Sequence, residues 1–222
     1  MRSPFSPLQL LLFLFILGFL LTFVQIGLLT IAFEKLGLSK SSAFLLLFCS
    51  LFGSSINLPL FSIAATHPPE DRMPKEIRGL LRQTMQHFTG RTLIAVNVGG
   101  CLIPLMFSFY LIQNHPLAME RVVFATALVA LVCHLAARPV PGIGIGMPIF
   151  VAPLTAALVA MVVSPEQSAP LAYICGTVGV LIGADILHWK EIAKIGAPIA
   201  SIGGAGTFDG IFLTGIVAVL LA

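Results

Sequence analysis

The sequence predicts an all-α integral membrane protein of about seven transmembrane helices, and three observations support this fold class. Hydrophobic residues make up 58% of the 222 positions and charged residues only 9%, whereas a soluble domain carries about 25% charged residues. Seven apolar runs approach the length of about 20 residues that a helix needs to cross a bilayer. The basic residues also concentrate in alternate loops. We therefore expect one polytopic membrane domain over residues 1–222.

The apolar runs give the expected membrane spans in chain order. They are Leu8–Phe33, Ser42–Ala65, Thr92–Ile112, Ala118–Ala137, Pro148–Val163, Pro170–Trp189 and Gly206–Ala222. The first run is longer than the apolar core of a signal peptide, about 7–15 residues, so we expect it to remain as an anchor. The fifth and seventh runs are short, and each follows a glycine-rich segment. Such spans are typical of broken helices that face a cavity or protein.

The distribution of charge predicts the orientation of the chain. With the N-terminus in the cytoplasm, nine of the 12 Lys and Arg residues lie on the cytoplasmic side and three on the other side. This asymmetry satisfies the positive-inside rule, which the reversed topology would violate. The net charge of +3 therefore relates to orientation and does not indicate nucleic-acid binding.

The longest cytoplasmic loop, residues 66–91, shows a second kind of pattern. Apolar residues recur there at helical spacing with basic residues between them: Ile77, Leu80, Leu81, Met85 and Phe88, with Lys75, Arg78 and Arg82. We expect an amphipathic helix that lies on the cytoplasmic leaflet, where its basic side chains meet anionic lipid.

Two acidic residues inside the spans mark the candidate site. An ionised group in hydrocarbon is costly, so each one is a functional-site candidate by default. Seven of the nine acidic residues lie in loops or at span edges, which leaves Asp185 and Asp209. Asp185 lies about one turn before the cytoplasmic end of the sixth span, and Asp209 lies about one turn into the seventh. Antiparallel neighbouring helices would place both carboxylates at one depth, as candidate catalytic residues.

Further polar residues and glycines are expected at the same depth, around a cytoplasm-facing polar cavity. As substrate-binding or supporting residues we expect Asn57, Asn97, His134, Arg138, His188, Gly206 and Gly210. His188 lies one helical turn beyond Asp185, on the same face. The glycines let a helix begin inside the membrane and direct its amide groups towards a substrate carbonyl. The alternative interpretation is that these groups stabilise the bundle through interhelical hydrogen bonds and close packing.

Three chemistries are compatible with two aspartates inside a membrane. Two carboxylates a few Å apart share a proton, so one acts as a base on water and the other as an acid on a carbonyl. The same pair suits proton- or cation-coupled transport. A metal site would use both aspartates with His188 and His134. The four cysteines lie in separate apolar runs without a CxxC pair, and no dense His or Cys cluster exists, so we predict no metal and no cofactor.

Five segments together resemble a known family. They are "FGSSINLPL", "VNVGGCLIP", "PGIGIGMP", "GADILH" and "GGAGTFDGIFLTG". From the second span onward the chain resembles the prokaryotic membrane family called domain of unknown function 1614. The resemblance implies a location in the cytoplasmic (inner) membrane of a prokaryote, with the lipid bilayer as surroundings, and it implies no activity.

A second resemblance covers about the last 40 residues. Gly206-Thr207-Phe208-Asp209, followed by Ile211-Phe212, resembles the Gly-x-Gly-Asp signature of presenilin-like intramembrane aspartyl proteases. That resemblance implies a catalytic pair at Asp185 and Asp209. Phe208 replaces the glycine before the second aspartate, Ala184 stands where presenilins have tyrosine, and a Pro-Ala-Leu motif after the seventh span is absent.

The sequence thus leads to one functional hypothesis with two alternatives. The hypothesis is hydrolysis of a membrane-embedded peptide in the manner of an intramembrane aspartyl protease. The first alternative is a proton- or ion-coupled transporter or channel for a small solute. The second is a membrane scaffold without catalytic activity.

Overall fold

The computed structural model describes residues 12–19, 22, 28–65, 90–140, 144–204 and 210–222, and these are mostly helical. Residues 12–19 are helical, and we number the helices that follow α1 to α8. Their bounds are Leu28–Lys35, Lys40–Gly53, Ile103–Asn114, Met119–Ala136, Val151–Val163, Ser168–Val180, Trp189–Ile195 and Gly210–Leu221. Two π-helical segments extend the bundle helices: π1 (Val98–Leu102) precedes α3, and π2 (Leu181–Ile186) follows α6.

The core of the bundle is built around α6, against which α4, α5 and α8 pack. Small residues face each other at these crossings. A Cβ added to Gly176 would lie 3.2 Å from the Cβ of Ala156 and 3.7 Å from the Cβ of Ala218. Tyr173 is fully buried and packs edge to face on Phe107, with ring centroids 4.9 Å apart. Close approach through small residues is the usual way in which membrane helices pack.

Two helical segments are long and apolar enough to cross a membrane, Met119–Ala136 and Pro165–Ile186. The second combines a 3₁₀ turn, α6 and π2. The apolar helices Lys40–Gly53, Val98–Asn114 and Val151–Val163 are shorter. The structure therefore gives a mostly helical protein with two candidate membrane-spanning helices, and the expectation of about seven spans stays a prediction.

The described residues are mostly helical, as expected, but they also contain five strands, which the all-α expectation did not include. β1 (Asn57–Ala64) pairs antiparallel with β2 (Arg91–Asn97), which in turn pairs parallel with β5 (Ile199–Ile202). β3 (Arg138–Val140) and β4 (Gly144–Gly146) form a separate antiparallel pair. The resulting three-stranded sheet, in the order β1-β2-β5, joins three distant parts of the chain.

The strands correct the second and third expected spans. Ser42–Ala65 is α2 followed by β1, and Thr92–Ile112 is β2 followed by π1 and α3. A continuous apolar run has no periodicity that separates a buried strand from a buried helix. Pro59 lies within β1, where a helix would lose a hydrogen bond and suffer a steric clash. The amphipathic helix expected in the loop between β1 and β2 lies outside the described residues, because residues 66–89 are not among them.

Candidate functional site

Asn97 is the centre of a buried polar network at the point where β2 ends and π1 begins. Its Nδ2 donates to the carbonyl oxygen of Ser54 at 2.7 Å and to Oδ1 of Asn57 at 3.0 Å. Its Oδ1 accepts from the backbone N–H of Gly100 at 2.8 Å and so caps the helix. Oδ1 of Asn57 also accepts from the hydroxyl of Ser201 at 2.5 Å. Because both ends of the buried Asn97 amide are hydrogen-bonded, this side chain joins α2, the sheet and π1.

Two glycines of π1 allow backbone segments to meet beside this network. A Cβ on Gly99 would lie 1.9 Å from the carbonyl oxygen of Ser50, and a Cβ on Gly100 would lie 1.9 Å from that of Gly203. The hydroxyl of Ser50 donates to the carbonyl oxygen of Gly99 at 2.8 Å. Only glycine permits both approaches, so the packing of π1 on α2 and on the end of β5 depends on these two residues.

Asp185 lies in π2, where it is half-buried. Its Oδ2 accepts a hydrogen bond from the backbone N–H of Gly203 at 3.1 Å. Gly203 has a φ of 83°, in the left-handed region that favours glycine, and it turns the chain after β5. The carboxyl group of Asp185 is therefore oriented by the backbone that leads from the sheet towards residues 205–209.

The expected partner of this carboxyl group falls within those residues. Asp209 and Gly206 lie outside the described part of the chain, so the pairing of Asp185 with Asp209 stays a prediction. Gly210 is described, and it is the first residue of α8.

A pair of histidines forms a second polar contact, between α4 and the end of π2. The ring centroids of His134 and His188 lie 4.4 Å apart. A close backbone approach brings their helices together, since a Cβ on Gly183 would lie 2.3 Å from the carbonyl oxygen of Ala130. Nδ1 of His188 lies 3.0 Å from the carbonyl oxygen of Gly183. A carbonyl oxygen only accepts, so Nδ1 is the donor. Nε2 of the same ring then faces Oε2 of Glu191 at 3.9 Å.

The structure thus brings together some of the residues expected at the site. Asn57 contacts Asn97 through a hydrogen bond, and His134 contacts His188 through its ring. Arg138 is exposed at the start of β3.

Two contributors were not expected from the sequence, Ser201 and Glu191. Ser201 lies in β5. A loop was expected between the sixth and seventh spans, so the contact of the Ser201 side chain with Asn57 was not predicted. Ser201 lies within the strand, whereas Gly203 follows it in a turn with a φ of 83°. The double glycine that follows "IASI" is the signal that marks the end of this strand. Glu191 is an acid beside two lysines, a pattern that usually indicates a solvated face, and only the structure shows its Oε2 buried against His188.

Within the described ranges, no group of three or more His, Cys, Asp or Glu side chains is arranged to hold a metal ion. The described residues define a mostly helical protein with candidate membrane-spanning helices, interrupted by a small sheet and two π segments. The chain belongs to the family described as Protein of unknown function (DUF1614), whose model matches residues 51–221. Searches of the curated proteins and of the solved structures found no significant match. These comparisons give no support to the resemblance to presenilin-like proteases.

Proposed function

We propose that the chain is an integral protein of the prokaryotic cytoplasmic membrane, with its N-terminus in the cytoplasm. Large apolar side chains cover the outward faces of the helices, from the ring series Phe44, Phe48 and Phe52 on α2 to Val162 on α5, which is 81% exposed. Apolar area on this scale is unfavourable in water and suited to lipid. Resistance of the expressed protein to alkaline carbonate extraction tests the placement, and release into the soluble fraction would contradict it.

We further propose that Asp185 and Asp209 act as an acid–base pair that hydrolyses peptide bonds within the membrane. The hydrogen bond from the Gly203 amide to Oδ2 of Asp185 is the observation that carries this proposal. It attaches the candidate acid to the segment that leads, six residues later, to Asp209. Six residues span at most about 20 Å, which sets an upper limit on the distance between the backbones of Gly203 and Asp209.

The proposed chemistry needs no group beyond the two carboxyls and a water molecule. One carboxylate takes a proton from the water, whose oxygen attacks the peptide carbonyl carbon, while the other carboxyl gives its proton to the carbonyl oxygen. The tetrahedral diol then breaks its C–N bond as the protonated carboxyl gives its proton to the amine nitrogen, and one diol hydroxyl returns a proton to the pair. The products are a carboxylic acid and an amine, and the pair ends with one proton, as it began.

The test uses purified full-length protein in proteoliposomes with a library of fluorescence-quenched single-span peptides. Asp185→Asn and Asp209→Asn are each expected to reduce cleavage at least about 100-fold, the lower range for loss of general acid–base catalysis. Glu120→Gln is the matched control, because Glu120 lies in the first turn of α4, outside the proposed pair. Cleavage that persists in either aspartate variant would refute the proposal.

The two π segments favour a second candidate, a proton- or ion-coupled transporter. π1 and π2 interrupt the regular helical geometry, and such interruptions occur frequently at functional sites and near transported substrates. This candidate predicts proton flux into liposomes after a pH jump, read by an entrapped dye and lost in Asp185→Asn, without peptide hydrolysis. If neither cleavage nor flux is found, and the aspartate variants keep their cellular role, a scaffold function remains.

A further inference from the structure

We propose that α7 and the adjoining β3 form a binding surface for the headgroup of an anionic phospholipid. The α7 surface consists of Trp189, Lys190 and Lys194 of α7 with Arg138 of β3. All four side chains are exposed, and β3 packs beside α7. The inference rests on the membrane placement proposed above and is independent of peptide hydrolysis.

The inner face of α7 is fixed by apolar packing. Ile192 and Ile195 are buried and share a small core with Ile94 of β2. α7 therefore rests on the sheet and presents its other side outward. Lys190 and Lys194 are four residues apart, so they lie one above the other on one face of the helix. The sheet thus holds two ammonium groups in a common direction.

Glu191 offsets only part of the charge of this surface. Its Oε2 is buried and lies 3.9 Å from Nε2 of His188, while the side chain as a whole is 42% exposed. Lys190, Lys194 and Arg138 outnumber this one acid, so the surface keeps a net positive charge, which attracts an anion and repels a cation.

The position of α7 along the chain indicates which anion it meets. α7 begins three residues after the end of the membrane-length segment Pro165–Ile186, so it lies where that segment leaves the hydrocarbon. Ile186 and Leu187 are 47% and 52% exposed immediately before it. Trp189, which follows, is 53% exposed, and tryptophan prefers the interface between headgroups and acyl chains. Along this segment, apolar side chains come first, then an aromatic one and then basic ones. A phospholipid presents matching regions in the same order, from its acyl chains through the interface to its phosphate.

The α7 surface is expected to bind an anionic phospholipid, such as phosphatidylglycerol, in preference to a zwitterionic one. Each basic residue near an anionic membrane surface favours association by about fivefold. Lys190 and Lys194 together are therefore expected to give a clear preference for phosphatidylglycerol over phosphatidylcholine. The preference is electrostatic and is expected to weaken as salt rises.

The chain provides its own reporter, because Trp189 is its single tryptophan. The full-length protein is reconstituted in vesicles that contain acyl-brominated phosphatidylglycerol or acyl-brominated phosphatidylcholine, and bromine quenches tryptophan fluorescence at short range. In the wild-type protein we expect at least fivefold stronger relative quenching by the anionic lipid. Lys190→Gln/Lys194→Gln is expected to equalise the two lipids. Lys40→Gln/Arg121→Gln is the matched control, since both residues are exposed on other segments of the chain, and it is expected to keep the preference.

Four outcomes would overturn the inference. Three of them are equal quenching by both lipids in the wild-type protein, a preference that survives in the Lys190/Lys194 variant, and a preference abolished by soluble glycerol phosphate, which would indicate a free phosphate compound as ligand. If neither lipid quenched the fluorescence, the proposal that Trp189 lies at the membrane surface would be refuted, and the inference with it. Asp185→Asn is expected to keep the lipid preference, so failure of the hydrolysis proposal leaves this inference standing.

Discussion

Replacing Gly100 by alanine tests the contact that holds the end of β5 against π1. The new Cβ would lie 1.9 Å from the carbonyl oxygen of Gly203, and real Cβ contacts are essentially never shorter than 3.0 Å. The backbone at Gly203 must therefore retreat by about 1.1 Å, the difference between these two distances. The contacted atom is a backbone oxygen, so no flexible side chain absorbs the displacement.

The displacement carries a stability cost and a cost at Asp185. Overpacking of a well-packed interior costs about 1–3 kcal/mol, and a backbone contact belongs at the upper end. A loss of about 3 kcal/mol lowers the melting temperature by about 6–12 °C for a chain of this size. The N–H of Gly203 lies 3.1 Å from Oδ2 of Asp185, so a retreat of about 1 Å in that direction breaks the hydrogen bond. Gly100→Ala is therefore expected to lose peptide cleavage, or proton flux, along with stability.

The assay is thermal unfolding of purified protein in detergent, with the functional assay run well below the melting temperature. Gly18→Ala is the matched control, because a Cβ on Gly18 would meet no atom within 4 Å and Gly18 has no positive φ. A Gly100→Ala protein that melts within 1–2 °C of the control, roughly the span of a surface change, would refute the packing argument. Full activity with a lowered melting temperature would refute only the link to Asp185.

Two further substitutions test the neighbouring contacts, with the melting temperature as the measurement. Asn97→Ala removes the partners of the Gly100 N–H and the Ser54 carbonyl. We expect the free energy of unfolding to fall by about 2–4 kcal/mol, because buried groups lose their hydrogen bonds. A fall below about 0.5 kcal/mol would show that water replaces the amide. Gly183→Ala places a Cβ 2.3 Å from the carbonyl oxygen of Ala130, so π2 is expected to move away from α4 at a cost of about 2–3 kcal/mol. Unchanged stability in Gly183→Ala would contradict the close approach that brings the two histidine rings together.

The sequence predicted a mostly helical protein from its apolar composition and from the length of its apolar runs. It did not predict the sheet, because Ser42–Ala65 and Thr92–Ile112 are predominantly apolar and give no clear period. Pro59 was the one local signal against a helix there. The parallel partner of β2 could not be found in any case, since β5 lies beyond the five intervening helices α3 to α7 and its pairing depends on the tertiary fold.

The candidate site was predictable to a similar degree. Asn57 and Asn97 were expected at a common depth of two helical spans, and they contact each other through a hydrogen bond at the paired ends of β1 and β2. An unpaired amide in an apolar interior is costly, which favours such a contact. A role for the two residues in substrate binding stays a prediction. The donor to Asp185 was not predictable, because it is the backbone amide of Gly203 and its direction depends on a left-handed φ. Residue type carries no information about such a bond.

The parallel pairing of β2 with β5 has a consequence for biosynthesis. Thr92 donates to the carbonyl oxygen of Ala197, 105 residues later. At about 5–20 residues per second, a ribosome needs roughly 5–20 seconds to cover that interval. During this time the edge of β2 that pairs with β5 is unoccupied, while α3 to α7 are synthesised. Asp185 is synthesised before Gly203, so its carboxyl group gains this amide donor only after β5 and the turn that follows it have been made. Orientation of the carboxyl group by the Gly203 amide therefore follows the synthesis of the sheet's last strand.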